Sequence, residues 1–542
     1  MEYSYFNVPK PTNEPVLSYS PGSPEKQGIK KELEKQTNEF VNIPVIIGGK
    51  EIWKGDKGHI VMPHNHKHQL AQYVKADKTV LKEAVENAVE TRKTWAKMAW
   101  EHRAAIFLKA ADLIAGPYRH KMNAATMLGQ SKTIFQAEID SACEIADFLR
   151  FNVYFAGEIY KNQPENDKAT WNKMEHRPLT GFILAMSPFN FTAIGGNLPT
   201  APALMGNTVV WKPSNAAVLS NYFIYEILKE AGLPDGVINF VPSSGEDVSE
   251  VVLKHKELAG VHFTGSTKVF SNIWQTIGEN INKYDSYPRI VGETGGKDFV
   301  FAHPSSNARQ VTVALIRGAY EYQGQKCSAA SRAYIPKSLW PQIKQGMLDE
   351  ISKIKVGDVA DFRNFMGAVI DKASFDNAVS YIEHAKSSND AEVICGSYDS
   401  SKGYFIYPTV IEAKVPDYKS MKEEIFAPVL TVYVYEDESL EEALHSCAIV
   451  SDYALTGAIF SSDRWALSYM KDYLSDSAGN FYLNDKPTGA VVGQQPFGGG
   501  RASGTNDKAG SILNLLRWIS PRTVKETFIT PKEVSYPFMD EE

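Results

Sequence analysis

Phe182-Ile183-Leu184-Ala185-Met186, closed by Ser187-Pro188, opens the stretch whose reading decides the fold. Five consecutive apolar residues ended by a turn signal predict a short strand buried on both faces. Toward the C-terminus, residues 208–211 repeat the pattern and Lys212-Pro213 stops it. Residues 218–231 have helical spacing and end at Gly232 and Pro234. Residues 237–241 and 261–263 are two more apolar runs, and Thr264-Gly265-Ser266 opens another helix. Strands alternating with helices predict a parallel, doubly wound α/β sheet. Toward the N-terminus, Leu81, Ala84, Val85, Ala88 and Val89 make one apolar helical face, and residues 104–114 and 135–151 predict further helices. The first forty residues are polar and carry Pro9, Pro11, Pro15, Pro21 and Pro24, which reads as an extended arm with a short helix near 30–35. Residues 162–168 are polar, contain Pro164 and predict an exposed excursion.

A chain of 542 residues is too long for one core, so two or three domains are expected. Its formal charge of -7 and lack of a basic run argue against a nucleic-acid partner. No apolar run reaches the roughly 18–20 residues that span a bilayer, so no membrane partner is expected. Cys143, Cys327, Cys395 and Cys447 are far apart and read as reduced thiols. Met1-Glu2-Tyr3-Ser4-Tyr5-Phe6 lacks the features of a targeting peptide; the expectation is a cytoplasmic protein, with a processed mitochondrial matrix form as the alternative. His64-Asn65-His66-Lys67-His68 has neither helical nor zinc spacing, so it reads as a loop and no metal site is expected.

Five segments can carry chemistry. In Gly324-Gln325-Lys326-Cys327-Ser328 a thiol sits in a glycine-opened loop, where Lys326 could favour the thiolate. Alone, such a cysteine reads as an inert buried thiol and decides nothing. In Gly292-Glu293-Thr294-Gly295-Gly296-Lys297 a carboxylate ends an apolar run between glycines, which suits a general base. Asn190, just past the strand at 182–186, can donate to a developing oxyanion. No GxGxxG follows any predicted strand, but Phe263-Thr264-Gly265-Ser266 offers a helix N-terminus to a pyrophosphate, and Lys212 could reach a ribose. In Glu423-Glu424-Ile425-Phe426-Ala427-Pro428 a carboxylate and an aromatic ring could hold a nicotinamide riboside.

Together and in this order, residues 187–190, 212–214, 263–266, 293–297, 324–327 and 424–428 resemble the aldehyde dehydrogenase superfamily, from about residue 40 to the C-terminus. The resemblance implies two doubly wound α/β domains, cofactor-binding and catalytic, plus a β oligomerisation flap. It assigns residues 1–158 and 180–294 to the NAD-binding domain with its N-terminal arm, 295–500 to the catalytic domain, and 159–179 and 515–542 to oligomerisation, so a homodimer or higher oligomer is expected. It makes Cys327 the nucleophile and Glu293 the general base. Asn190, with the Cys327 N–H, becomes the oxyanion hole. Ser187, Lys212, Ser214, Gly265, Ser266, Glu424 and Phe426 become contacts for NAD.

The runs 187–197 and 493–507 resemble one branch closely, the dehydrogenases of L-glutamate γ-semialdehyde, the open-chain form of Δ1-pyrroline-5-carboxylate; 13–16 and 22–25 look like that branch's N-terminal arm. The branch oxidises this aldehyde to glutamate in proline breakdown. It implies that Ser328, Gly489 and Ala490 hold the substrate α-carboxylate, that Phe191 and Phe497 pack on the aliphatic stem, and that Glu144 lies near the substrate. A solvated helix carboxylate remains the other reading of Glu144. Ala490 stands where some relatives have Ser, Asp298 where Asn is commoner, and Asn215 where NAD-preferring members often have a carboxylate. NAD is the expected cofactor, with NADP use open. A different semialdehyde, or a non-enzymatic protein on this scaffold, are the rival readings. A separate proline dehydrogenase is a conceivable transient partner.

Overall fold

The computed structural model describes residues 6–540. The features read from Met1–Tyr5, and the last two residues of the tail, lie outside the described residues. Two seven-stranded sheets organise the chain. The first runs, in spatial order, Arg289–Glu293, Leu258–Thr264, Phe182–Met186, Val209–Lys212, Ile238–Phe240, Val45–Ile47 and Lys50–Ile52. Its first five strands are parallel and the last two pair antiparallel. Phe182 through Ala185 are fully buried, which is why this strand reads as an unbroken apolar run rather than an alternating one. The second sheet runs Ala391–Cys395, Thr409–Ala413, Val429–Tyr435, Ala330–Pro336, Asp298–Ala302, Thr456–Phe460 and Asn480–Leu483, parallel except at the first pair. Helices cover both sheets, as parallel sheets require.

A separate ribbon pairs Thr170–Pro178 with Ile519–Thr527 over nine antiparallel positions. It stands largely exposed, with Trp171 edge-on to Phe528. The two segments expected to join subunits hold these strands, and each begins inside a helix, Ile145–Lys161 and Ile512–Leu516 respectively.

Several local expectations change. The N-terminal helix is Pro24–Asn38, longer than expected, because Ser23 caps it and Ile29 and Leu33 give it a buried face. His64 to His68 is not a loop: His64 closes a tight connection and Asn65–Val74 is a strand paired with Lys57–Met62. His66 and His68 are spent on the Ser400 and Thr37 carbonyls. The helix expected over 135–151 is three pieces, Ile134–Ala137, a π-helix Glu138–Glu144, and Ile145–Lys161. The helix Arg119–Gln130 lacks a readable periodicity because ten of its twelve residues are buried. No helix among the described residues is long and apolar enough to cross a membrane.

Candidate active site

A cavity of about 310 Å³ opens at the C-terminal ends of the first sheet's strands, against the loop that leads into Ala330–Pro336 of the second. Cys327, Ser328, Glu293, Glu144, Phe191, Phe497, Gly489 and Ala490 all line it. The expected nucleophile, base and substrate residues are therefore brought together from segments as far apart as 144 and 497.

The cysteine loop is built on strained backbone. Tyr322 and Gln323 have φ of 51° and 55°, and Gly324 follows at 64°. Left-handed residues other than glycine cost on the order of 1 kcal/mol or more and persist only where the surroundings fix them. Gln323 is fixed by donating to the Ser131 and Ala368 carbonyls (2.9 and 2.8 Å) and accepting from the Gly367 N–H (3.0 Å). Tyr322 lies under the buried ammonium of Lys132, 4.5 Å from the ring centre. Gly324 is required here because a Cβ would collide with the Ala427 carbonyl.

Lys326 does not act as expected. Its ammonium pairs with Glu321 at 3.4 Å, and burial pulls it down to about 8. The Cys327 thiol is instead pushed well up, first by burial and then by Glu293, Asp298 and Glu424.

Glu293 ends its strand, as the sequence predicts. Burial raises its carboxyl to about 8, Asp507 pushes the same way and Lys508 opposes. A carboxyl tuned into the neutral range is suited to proton transfer. Glu144 is also raised to about 8, by burial and by Asp140. It faces the cavity from the π-helix, so the solvated-helix reading fails.

Asn190 is buried, and its Nδ2 donates to the Gln325 carbonyl at 3.0 Å, two residues before the nucleophile. The amide carries two N–H groups, so one has no partner among the described residues. Its segment is gripped on both sides. Gln130 donates to the Phe189 carbonyl (2.6 Å), while Asp140 accepts from the Thr192 and Ala193 N–H groups (2.9 and 2.7 Å) at the start of helix Thr192–Leu204. Asp140 is paired with Lys132 at 2.7 Å, and the same ammonium lies 3.9 Å over the Phe191 ring. Lys132 thus joins the Asn190 segment to the cysteine loop. Neither it nor Asp140 carries a linear signal.

Ser328 Oγ and Thr488 Oγ1 share a hydrogen bond of 2.8 Å, tying the nucleophile's neighbour to the Gly489–Ala490 loop. Gly489 has φ of 102°, which favours glycine. Val16, Thr505 and Asp507 also line the cavity and were not singled out from the sequence. Asp298 gains an account: its Oδ1 accepts the Thr456 N–H (2.6 Å), and its Oδ2 crowds Gly296 together with the Cys327 carbonyl.

The residues expected at the cofactor fall outside this lining, at the ends of the first sheet and on a loop of the second. Lys212 ends its strand, and burial alone depresses it to about 8; among the described residues its ammonium has no hydrogen-bond or ion-pair partner. Ser214 is half-buried in the next turn. Ser266 caps the helix Thr267–Glu279, and a Cβ at Gly265 would strike the Phe263 ring. Glu424 accepts the Gly296 N–H at 2.9 Å and is raised to about 7 by burial. Phe426, with φ of 58°, stands edge-on to Phe189 at 5.8 Å. Ser187 is largely engaged within the fold. Its hydroxyl donates to the Gly195 carbonyl and accepts from Trp211 Nε1, and its N–H donates to the Lys212 carbonyl, so its own carbonyl and one hydroxyl lone pair are left for a ligand.

The model of the aldehyde dehydrogenase family matches residues 53–524. This chain belongs to the aldehyde dehydrogenase family. It is 55% identical to the Delta-1-pyrroline-5-carboxylate dehydrogenase, mitochondrial, of Dictyostelium discoideum, over 98% of this chain and 96% of that one. It is 48% identical to the human protein of the same name, over 98% of this chain and 94% of that one. Among solved structures, the Delta-pyrroline-5-carboxylate dehydrogenase of Mycobacterium tuberculosis bound with NAD matches with a TM-score of 0.96 and 49% identity, each chain covered in full.

Proposed function

We propose that this protein oxidises L-glutamate 5-semialdehyde, the open-chain form of 1-pyrroline-5-carboxylate, to L-glutamate with NAD as hydride acceptor. The observation that carries the reading is the shared cavity: Cys327 and Glu293 face it together with Ser328, Gly489, Ala490 and Glu144. The first pair supplies aldehyde chemistry and the second set suits an amino-acid head group. The names of the relatives, and the NAD held by the mycobacterial enzyme, support the same substrate and cofactor.

Cys327 Sγ, as thiolate, attacks the aldehyde carbon. The free N–H of Asn190 and the Cys327 backbone N–H hold the oxygen as it gains charge. NAD, when bound, accepts the hydride from that carbon, which leaves a thioester on Cys327. Glu293 takes a proton from water, the water oxygen attacks the thioester carbon, and the C–S bond breaks to release the acid and regenerate the Cys327 thiolate. The α-carboxylate rests on the Gly489 and Ala490 N–H groups and the Ser328 hydroxyl. With Ala at 490 only backbone contacts are made there. Glu144 receives the α-ammonium, whose charge favours its ionised form, and Phe191 and Phe497 enclose the stem.

The residues present fit a dinucleotide. Lys212 is a desolvated cation with no counter-charge, the helix beginning at Thr267 offers free N–H groups, and Glu424 and Phe426 stand beside the cysteine loop. Asn215 is exposed and neutral, so it does not repel a 2′-phosphate as a carboxylate would.

Steady-state assays of glutamate semialdehyde, succinic semialdehyde and unsubstituted aldehydes with NAD test the substrate. Glutamate semialdehyde leads in kcat/KM; a tie would count against the assignment. Cys327→Ala abolishes turnover but leaves NAD binding intact. The exposed ribbon of Thr170–Pro178 and Ile519–Thr527 supports a homodimer or higher assembly, and light scattering that finds only monomer would refute it. The word mitochondrial in the names of the Dictyostelium and human relatives supports the matrix alternative over the cytoplasm.

A further inference from the structure

The N-terminal arm reaches the cavity. Val16 lines it while half exposed, and the residues on either side of Val16 are anchored. Leu17 N–H donates to Glu138 (2.9 Å) and Tyr19 Oη donates to the same carboxylate (2.7 Å). On the other side, the Glu14 N–H donates to Asp147 (2.8 Å), and the Glu14 carboxylate is held by Arg119 (2.7 Å) and Arg150 (2.6 Å). These partners are buried or half-buried, so the arm is built into the domain rather than laid on it.

Asn13 uses its whole amide here. Nδ2 donates to Asp147 Oδ2 and to the Val492 carbonyl, each at 2.8 Å, and Oδ1 accepts from Gln494 Nε2 at 2.9 Å. Two of these three bonds go to the segment that follows Gly489 and Ala490. The stretch from Asn484 to Gly499 contains no strand or helix. Ser328 to Thr488 ties it on one side of Gly489–Ala490, and Asn13 to Val492 and Gln494 ties it on the other. With both ties the N–H groups of that loop keep a fixed direction. With only one, the φ freedom at Gly489 and Gly493 lets them turn away.

We infer that Asn13 is a specificity-determining positioning residue: it holds the 489–494 loop in the shape that receives the substrate's carboxylate, so the arm is part of substrate selection. The inference rests on the proposed function, since it deepens the role of that loop. It predicts an effect confined to aldehydes that carry a carboxylate at the head. Butanal reaches Cys327 without using the loop.

Asn13→Ala and Gln494→Ala test this, assayed with NAD against glutamate semialdehyde and against butanal. Gln494 is exposed, so its truncation leaves the fold in place should the Asp147 side of Asn13 prove needed for folding. Losing one or two such hydrogen bonds raises KM for glutamate semialdehyde roughly three- to tenfold, with kcat changed by less than about twofold and KM for butanal unchanged. An equal rise of KM for both aldehydes, or no rise in either variant, overturns the inference while leaving the substrate assignment standing. A wild-type enzyme that favours butanal overturns both.

Discussion

The raised carboxyl of Glu293 makes the pH profile of thioester hydrolysis a direct test of its role. A base that titrates at about 8 is ionised in roughly one molecule in ten at pH 7, one in a hundred at pH 6, and half at pH 8. Hydrolysis should therefore climb roughly fiftyfold from about pH 6 to about pH 8 and then level off. Rapid mixing of enzyme, NAD and saturating aldehyde separates the steps. The first burst of NADH reads thiol attack and hydride loss, and the slower linear phase reads hydrolysis. The burst carries its own pH dependence because burial pushes the Cys327 thiol up, so the linear phase must be compared with the burst amplitude and not with the burst rate. Glu293→Gln keeps the burst and slows the linear phase, by a factor on the order of 10²–10⁴. Below pH 7 the wild type should look most like this variant. A linear phase that stays flat over that range, or a Glu293→Gln enzyme that turns over steadily without a stall, would remove Glu293 from the proton-transfer step.

Lys132→Met leaves the fully buried Asp140 charge without its partner, so the variant should lose about 3–5 kcal/mol in urea unfolding; Lys132→Met with Asp140→Asn should recover much of it, and a single variant of wild-type stability would show that the pair is not ionised as drawn. Asp298 is held well above its ordinary value by burial, so the folded chain keeps a proton that the unfolded chain gives up above about pH 4, and stability falls as pH rises from there toward the folded value. Asp298→Asn removes that loss: its stability relative to the wild type should grow with pH while its kcat/KM stays within about twofold, and an advantage that shrinks with pH would contradict the assignment.

The first sheet was legible because parallel strands buried on both faces leave an unbroken apolar run, as at 182–186, and because Gly232 and Pro234 stop the helix at 218–231. The site was legible through local signals of another kind: a glycine-opened loop around Cys327, a glycine-flanked carboxylate at Glu293, an asparagine just beyond a strand. What escaped was long-range. Val16 comes to the cavity across more than 300 residues of chain from Cys327, and nothing in an isolated Pro-rich arm says that Asn13 will meet Val492. The Lys326 reading failed for a related reason. Adjacency in sequence placed a cation beside the thiol, but the side chain turns to Glu321.

The π-helix at Glu138–Glu144 shows why such misses cluster in one place. Asp140, Glu144 and Asp147 fall at the i, i+4, i+7 spacing of one α-helical face, with Glu138 on the opposite side, and an unpaired buried carboxylate is prohibitively costly. In the fold three of the four are buried and the fourth, Glu144, faces the cavity. Their compensating groups come from elsewhere: Arg119 for Glu138, Lys132 for Asp140, Asn13 for Asp147. The wider turn of a π-helix changes the angle between successive side chains, and Asp140, Glu144 and Asp147, which regular α-helical spacing would line up, meet different partners. Glu138 and Asp147 hold the arm, Asp140 caps the helix behind Asn190 and Phe191, and Glu144 meets the cavity. One short irregular element therefore connects the arm, the oxyanion segment and the proposed ammonium contact. An insertion or deletion that restored regular α-helical spacing there would disturb all three at once, though none of its own residues takes part in bond making.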